Sequence, residues 1–423
     1  MKKFFKTFLL MALFLSPLMA ENLTLEDCFR LAQKNHPVMK QKQPINQITE
    51  KELKNINTRW LPELNLTMNA GYQSDVTNID ITLPPAMAGF SIPEPDKDMI
   101  KSELEISQMI YDGGLVAVQK ELAMQDNKIS LQKINTNFQD LKLAISEFYY
   151  NLLLLKKQKA LLKSRQIDLE QSLTVMQNLV KSGVKESTDR YELAIKLHEL
   201  RQTIAENSIN MQNSRKILSQ LIGQDINRDI VLFEPEITGD TTSFFNAQSR
   251  LFDYQQQRLK IAEKINFRNR LPKLRGFGKI GYGKPGLNML SDEFDSYYQV
   301  GLILQWNIWD WQFNQRERQK LQYNRKLLEY SEAAYNQNLS IELDKLRAEI
   351  ANLRQKIAKE REIFELHQKI RESADAKLQQ GTINTTDYLI YDNNYARAEL
   401  NMEIHKVRLY KTKVKYLIQK GEL

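Results

Sequence analysis

The sequence is poor in the residues that interrupt helices and cross-link folds. Of 423 residues only 15 are glycine and 11 are proline, and Cys28 is the one cysteine. A lone cysteine excludes an intramolecular disulfide, and with it the small stapled folds of extracellular modules. Cys28 itself reads as a small hydrophobe on a helix. The four histidines, His36, His198, His367 and His405, are scattered. None forms an HExxH pair or stands at ligand spacing from Cys28, so no zinc signature is present. No nucleophile-base set is legible, and neither enzymatic activity, a cofactor nor a metal is expected. Beyond residue 20 no run reaches the ~18 apolar residues of a spanning helix. A basic stripe interleaved with aromatics is also missing. Of the net charge of +8, three come from Lys2, Lys3 and Lys6. The other charges alternate in sign, as on solvated helix faces, so no nucleic-acid partner is expected.

What is present starts with an address. MKKFFKTFLLMALFLSPLMA has a basic start, an apolar middle, Pro17 and a small residue at Ala20. It reads as a secretory signal peptide over residues 1–20, cut after Ala20. Leu18 sits where a smaller residue is usual. No cysteine lies near the cut, so lipid attachment there is not expected. An exported chain without a spanning helix is periplasmic, secreted or an outer-membrane β-protein.

The longest regular feature runs from Leu115 to Ser182, between Gly113-Gly114 and Gly183, with no glycine or proline inside. Its ladder is Ile134, Phe138, Leu141, Ile145, Phe148, Leu152 and Leu155. The 4-3 spacing is that of a coiled-coil seam. At ~1.5 Å per residue the helix is about 100 Å long. Gly183 is a natural left-handed C′ residue for it.

Other stretches switch to period two. In Glu63–Tyr72, Leu64, Leu66, Met68, Ala70 and Tyr72 share one face, and Glu63, Asn65, Thr67 and Asn69 the other. Lys101–Tyr111, Lys273–Tyr282 and Tyr298–Trp306 alternate similarly, and each is predicted to be a strand of about ten residues, the length of a tilted transmembrane β-strand. One face is apolar in each, as in an outer-membrane barrel, and Tyr72, Tyr111, Tyr298, Trp306, Trp309 and Trp311 lie near strand ends. Gly276-Phe277-Gly278-Lys279-Ile280-Gly281 matches GxGxxG in letters only. It lies in an alternating strand and runs into Gly283-Lys284-Pro285-Gly286 rather than a helix, so it is no dinucleotide site.

The chain repeats itself. Asp112 and Asp310, Gly183 and Gly381, Asp189 and Asp387 are each 198 residues apart, and so are Leu141 and Leu339, Ile145 and Leu343, Phe148 and Leu346, Leu152 and Ile350, Leu155 and Leu353. Because 198 is not a multiple of seven, heptad phase alone does not produce this match. Pro62 and Pro272 are 210 apart, so the first strand-to-strand loop is longer. The expected organisation is a signal peptide (1–20), a first repeat of a helix, two strands and a long helical hairpin (21–223), a linker (224–245) and a second repeat (246–423). The fold class is that of an α+β membrane protein. Four strands cannot close a barrel, and open edges are not tolerated in lipid. Copies must pool strands, and four from each of three copies make twelve.

The chain resembles an outer-membrane efflux protein of the TolC family. The resemblance is carried by Leu23-Thr24-Leu25-Glu26-Asp27 with Asn35-His36-Pro37, by Leu61-Pro62-Glu63-Leu64 and Leu271-Pro272-Lys273-Leu274, by Ile110-Tyr111-Asp112-Gly113-Gly114, and by the turns Lys181-Ser182-Gly183-Val184 and Gln380-Gly381-Thr382-Ile383. It covers nearly all of the mature chain. It implies a homotrimer with a twelve-stranded barrel in outer-membrane lipid and an α-helical barrel in the periplasm. It also implies a periplasmic adaptor docked at the helix tips and an inner-membrane transporter that supplies the energy. The channel would be the exit duct of a tripartite efflux or type I secretion system. By the same resemblance the tip turns Gly183, Val184, Gly381 and Thr382 would meet the adaptor, and acidic residues just past them, Asp387 and Asp189 with Glu192 and Asp392, would narrow the pore. The family often has a second acid three residues after the first; here that position is Ile390. A helix-start carboxylate that meets free N–H groups explains Asp189 and Asp387 equally well. The alternative is a soluble periplasmic coiled-coil adaptor or scaffold. Such proteins share the long hairpins but not four strands with a lipid-like face.

Overall fold

A computed structural model of the chain describes residues 22–76, 96–226, 229–234, 246–291 and 293–423. The expected signal peptide, the proline-rich loop after the first strand and most of the linker lie outside them. The elements, in order, are α1 (Leu25–Asn35), α2 (Pro37–Lys40), α3 (Lys42–Thr58), β1 (Glu63–Tyr72), β2 (Asp98–Tyr111), α4 (Leu115–Lys181), α5 (Ser187–Ile222), α6 (Ala247–Arg268), β3 (Lys273–Lys284), β4 (Asp295–Gln305), α7 (Phe313–Gln379) and α8 (Thr385–Lys420). The helices α4 and α7 are 67 residues each, and α5 and α8 are 36 each. These equal lengths are the duplication in structural form. The first helix ends just before Pro37, whereas α3 runs unbroken through Pro44. It stands in the first turn, where its missing N–H has no intrahelical partner to lose. The strands β2, β3 and β4 each extend two or three residues beyond the alternating run at one end.

The chain forms two compact units. The first consists of Gln43–Leu131 and Leu251–Ser331. Its four strands make one antiparallel sheet in the order β1-β2-β3-β4. Register fixes the faces. Leu66 opposes Leu104, Leu104 opposes Ile280, and Ile280 opposes Tyr298, all exposed and apolar. One residue along, Asn65 opposes Glu105, Glu105 opposes Lys279, and Lys279 opposes Gln299. A one-residue slip would exchange the two faces along the whole sheet. On the polar face two rings lie flat over glycines. A Cβ at Gly281 would stand 2.2 Å from the Tyr297 ring, and one at Gly301 2.7 Å from Phe277. The Tyr297 hydroxyl and the Lys279 ammonium both donate to Glu103. Outside the sheet, α6 lies along the start of α4 through Gln125 to the Tyr254 carbonyl (2.8 Å), Arg258 to Asp126 (2.6 Å) and Lys264 to Glu121 (2.8 Å).

Each long helix in this unit starts from an aspartate. Asp112 accepts from Gly114 N at 2.8 Å and Val116 N at 2.6 Å; Asp310 accepts from Asn314 N at 3.1 Å. The two residues after each aspartate are left-handed: Gly113 and Gly114 (φ 72° and 79°), then Trp311 and Gln312 (φ 51° and 61°).

The second unit comprises the remaining described residues. Its core contains the predicted ladder: Leu141, Ile145 and Leu152, with Leu153 beside them, pack with α1 and with Leu218 and Ile222, while Leu339, Leu343, Leu346, Ile350 and Leu353 pack with Leu409, Tyr416 and Leu417. The segment before α1 pairs with Ile230 in a parallel bridge at Leu23, and Tyr149 and Tyr150 donate to carbonyls of Val231 and Phe233. The start of α1 is a reciprocal box, in which Thr24 and Asp27 each accept the other's backbone N–H. Burial pushes the Cys28 thiol up to about 12, so the one cysteine is an inert packing residue. Among the described residues no helix is long and apolar enough to cross a membrane.

Candidate functional site

The two hairpin turns meet within the second unit. Gly183 and Gly381 adopt φ of 75° and 68°, as a helix C′ position requires. Val184 N donates to Leu179 O and Thr382 N to Lys377 O, both at 2.9 Å, the six-to-one bond of a Schellman turn. Lys185 Nζ then reaches the Ile383 carbonyl at 2.9 Å, and a Cβ at Gly381 would lie 3.2 Å from Val184. Val184 is otherwise exposed, so the paired tips present an apolar point to solvent.

The following helices begin with matched caps. Glu186 and Asp189 form a reciprocal box at the start of α5. At the start of α8, Asn384 Oδ1 accepts from Asp387 N at 2.6 Å, and Asn384 Nδ2 donates to Asp387 at 2.8 Å. The Asp189 carboxylate thus accepts from the Glu186 backbone N–H, whereas the Asp387 carboxylate accepts from the Asn384 side chain, and their surroundings differ. Asp189 is half-buried and also accepts from the Thr385 hydroxyl at 2.6 Å. Burial pushes its carboxyl up, but the Thr385 hydroxyl, the Glu186 N–H and Lys185 together hold it below the usual carboxylate value. Asp387 is exposed, and so is Glu192, which accepts from Thr386 at 3.3 Å.

Asp392 stands apart from these three. Only 2 % of it is exposed. Arg165 donates to it at 3.0 Å, and Arg371 approaches its other oxygen at 3.5 Å. Arg371 also binds Asp168 at 2.7 Å and stacks over the Tyr395 ring at 5.1 Å. Burial pulls the Arg371 guanidinium down, yet Asp375, Asp168 and Asp392 push it above its ordinary value. Tyr388 and Ser172 share a hydrogen bond at 3.0 Å beside this group. The cluster borders a cavity of about 620 Å³ lined by α4, α5, α7 and α8. So Asp189, Glu192 and Asp387 lie together at the tips, and Asp392 lies in an ion-pair cluster deeper between the hairpins.

The sequence reading missed the basic half of that cluster. A signal existed in the repeat itself. At an offset of 198, Arg165, Asp168, Arg371 and Asp392 correspond to Ile363, Leu366, Leu173 and Ala194. Four charges against four apolar residues at equivalent helix positions mark a place where the two halves do different work. Among the described residues no group of His, Cys, Asp or Glu could hold a metal ion.

A family model described as outer membrane efflux protein matches residues 30–224. No curated protein sequence matches the chain. Among solved structures, the outer membrane channel CmeC of Campylobacter jejuni is 15 % identical, with 94 % of this chain and 85 % of that one covered and a TM-score of 0.69. The outer membrane protein VceC of Vibrio cholerae is 12 % identical, with 94 % and 96 % covered and a TM-score of 0.67. The MtrE outer membrane channel of Neisseria gonorrhoeae is 14 % identical, with 94 % and 89 % covered and a TM-score of 0.64. At such identities the likeness is one of fold, and it extends over the strands as well as the hairpins. The chain is thus similar to outer membrane efflux proteins over residues 30–224 and shares the fold of outer membrane channels over 94 % of its length.

Proposed function

We propose that this chain is the exit duct of a tripartite efflux or type I secretion assembly, acting as a homotrimer in the outer membrane with its hairpins extended into the periplasm. The observation that carries this reading is the sheet. Its apolar face is exposed along every strand, and β1 and β4 are open edges. Neither is stable alone in lipid, where unpaired backbone groups cost several kcal/mol each. Twelve strands from three copies remove both liabilities.

The same reading gives roles to the tips. The turns at Gly183, Val184, Gly381 and Thr382 would receive a periplasmic adaptor, with an inner-membrane transporter beyond it. Three copies of Asp387, with Glu192 and Asp189 nearby, would form an acidic constriction that favours cations. Asp392, held by Arg165 and Arg371, would brace the hairpins behind it. The residues 21–223 and 246–423 would act as two repeats joined by the 224–245 linker, after loss of a signal peptide at 1–20. The chain would do no chemistry and need no cofactor.

The test combines fractionation with electrical recording. The protein should pellet with outer membranes, run as a heat-modifiable oligomer, and open cation-selective steps in planar bilayers. A protein recovered from the soluble periplasm that opens no steps would overturn the reading.

A further inference from the structure

We propose that the groove between α5 and α8, floored by α4, binds a small organic cation. The ligand is an amine whose ammonium meets Glu399, whose second N–H or O–H meets Asn207, and whose apolar body covers the leucines of α4. The groove lies within the second unit, and its use does not depend on the duct reading above.

The groove is the cavity of about 620 Å³ that the charge cluster borders. That volume falls within the roughly 300–1,000 Å³ of ligand pockets. Leu155, Leu161 and Leu162 of α4 and Leu400 of α8 give it an apolar lining. The duplication shows that this lining is particular to one half. At an offset of 198, Leu161 and Leu162 become Lys359 and Glu360, and Asn207 becomes His405. A ring nitrogen of His405 stands 3.0 Å from Glu360. The second hairpin therefore carries a polar pair of its own where the first has leucine and an amide.

The charged groups that line the groove sort into engaged and unengaged. Arg165 and Arg371 are taken up by Asp392 and Asp168. Arg397 is exposed and donates to Asn394 at 3.2 Å; Glu206 is exposed and accepts from Gln202 at 3.1 Å. Glu399 is half-buried, and no hydrogen bond or ion pair engages it among the described residues. Burial and the neighbouring Glu403 push its carboxyl above the ordinary range, against the pull of Arg371. An added cation favours the charged form of such an acid. With the two ion pairs set aside, two carboxylates face one exposed guanidinium, so the groove is acidic. Asn207, which also lines it, is only 6 % exposed. Its amide nitrogen donates to Gln158 at 3.3 Å, but its carbonyl oxygen has no partner among the described residues. A buried acceptor left unmet costs about 1–3 kcal/mol. Apolar floor, free carboxylate and unmet acceptor together specify a ligand with an apolar body, a positive charge and a spare donor. An anion would meet the opposite of each polar requirement.

Monodansylcadaverine is a suitable probe, since it joins a primary ammonium, a pentyl stem, a sulfonamide N–H and a fluorescent ring. Titrated into the full-length protein in mild detergent, it should give a saturable rise in emission. Its N-acetyl form, which is neutral, and dansylglycine, an anion, should bind about tenfold more weakly or worse, the worth of a hydrogen bond to a charged group. Glu399→Gln keeps the size of the side chain and removes its charge; it should raise the Kd of the probe about tenfold. Leu161→Lys copies the second repeat, sets an ammonium on the floor of the groove and should abolish saturation. Helix content is compared with the parent, and where Leu161→Lys does not fold, Glu399→Gln decides. Equal binding of the three dansyl compounds, a preference for the anion, an unchanged Kd in Glu399→Gln, or no saturation at all overturns the proposal. None of these results bears on the membrane address or the number of chains in the particle.

Discussion

The two long hairpins have the same lengths, 67 and 36 residues, but the two repeats are finished differently. In the first, α4 is roofed by α6, and its start at Gly113 is so close to Leu271 that a Cβ there would stand 2.7 Å from the Leu271 Cβ. In the second, α7 carries Tyr323, Leu327 and Tyr330 in the open, and the residue at the place of Gly113 is Trp311, itself exposed. Left-handed backbone costs a non-glycine residue roughly 1–2 kcal/mol. Glycine is thus present where the chain folds back on itself, and absent where its own residues leave room. The difference teaches that one half is covered within the chain, while the other leaves an apolar row of α7 uncovered. The charge cluster says the same in reverse. Arg165 and Asp168 meet Arg371 and Asp392 inside the chain, while Ile363 and Leu366 at the equivalent places remain exposed.

The contrast can be broken from either side. The largest effect is expected for Ile129→Asp, which buries an unpaired carboxylate under α6. That substitution should abolish recovery of folded protein, whereas Leu327→Asp at the equivalent position should leave the chain folded; circular dichroism and yield separate the two. Next is Asp392→Ala. It leaves Arg165 without its carboxylate partner in a mostly buried site, while Arg371 keeps Asp168, and about 3 kcal/mol should be lost, read as a lower unfolding midpoint. The mirror change Ala194→Asp supplies no arginine partner and should not restore stability when the two are combined.

Smaller effects are expected at the tips. Asp387→Ala should raise single-channel conductance and weaken cation preference at 0.1 M salt, where the screening length is about 10 Å. The difference should shrink at 1 M, where it is about 3 Å. Asp189→Ala, whose carboxylate is turned to Thr385, should change conductance less. The smallest effect concerns pH. The Asp189 carboxyl is held below its ordinary value in the folded chain. Its contribution to stability is therefore fully present above about 3.8, the ordinary value, and is lost as pH falls through the lowered value. Asp189→Asn should remove that acid-side loss, as an acid titration of thermal midpoints would record.

Most of the fold was legible in the sequence because its signals are long. A 67-residue helix between glycines, period-two runs and a 198-residue offset each summed weak local preferences over many residues. Strand ends were less legible. The extra residues of β2, β3 and β4 are held by cross-strand bonds, which depend on a partner rather than on local pattern. Pro44 is tolerated in α3 because it stands in the first turn, a position that a proline by itself does not reveal. At the tips, the glycine turns and the carboxylate caps were legible because capping is local chemistry. The Arg165 and Arg371 cluster was not, since its pairs Arg165–Asp392 and Asp168–Arg371 each join residues over 200 apart. It emerged only from comparing the halves position by position.

The most direct measurement is the mass of the native particle extracted from outer membranes in mild detergent. A particle of three chains, stable until heated, is expected. A stable single chain, with β1 and β4 unpaired and Tyr323, Leu327 and Tyr330 uncovered, would contradict the trimeric duct.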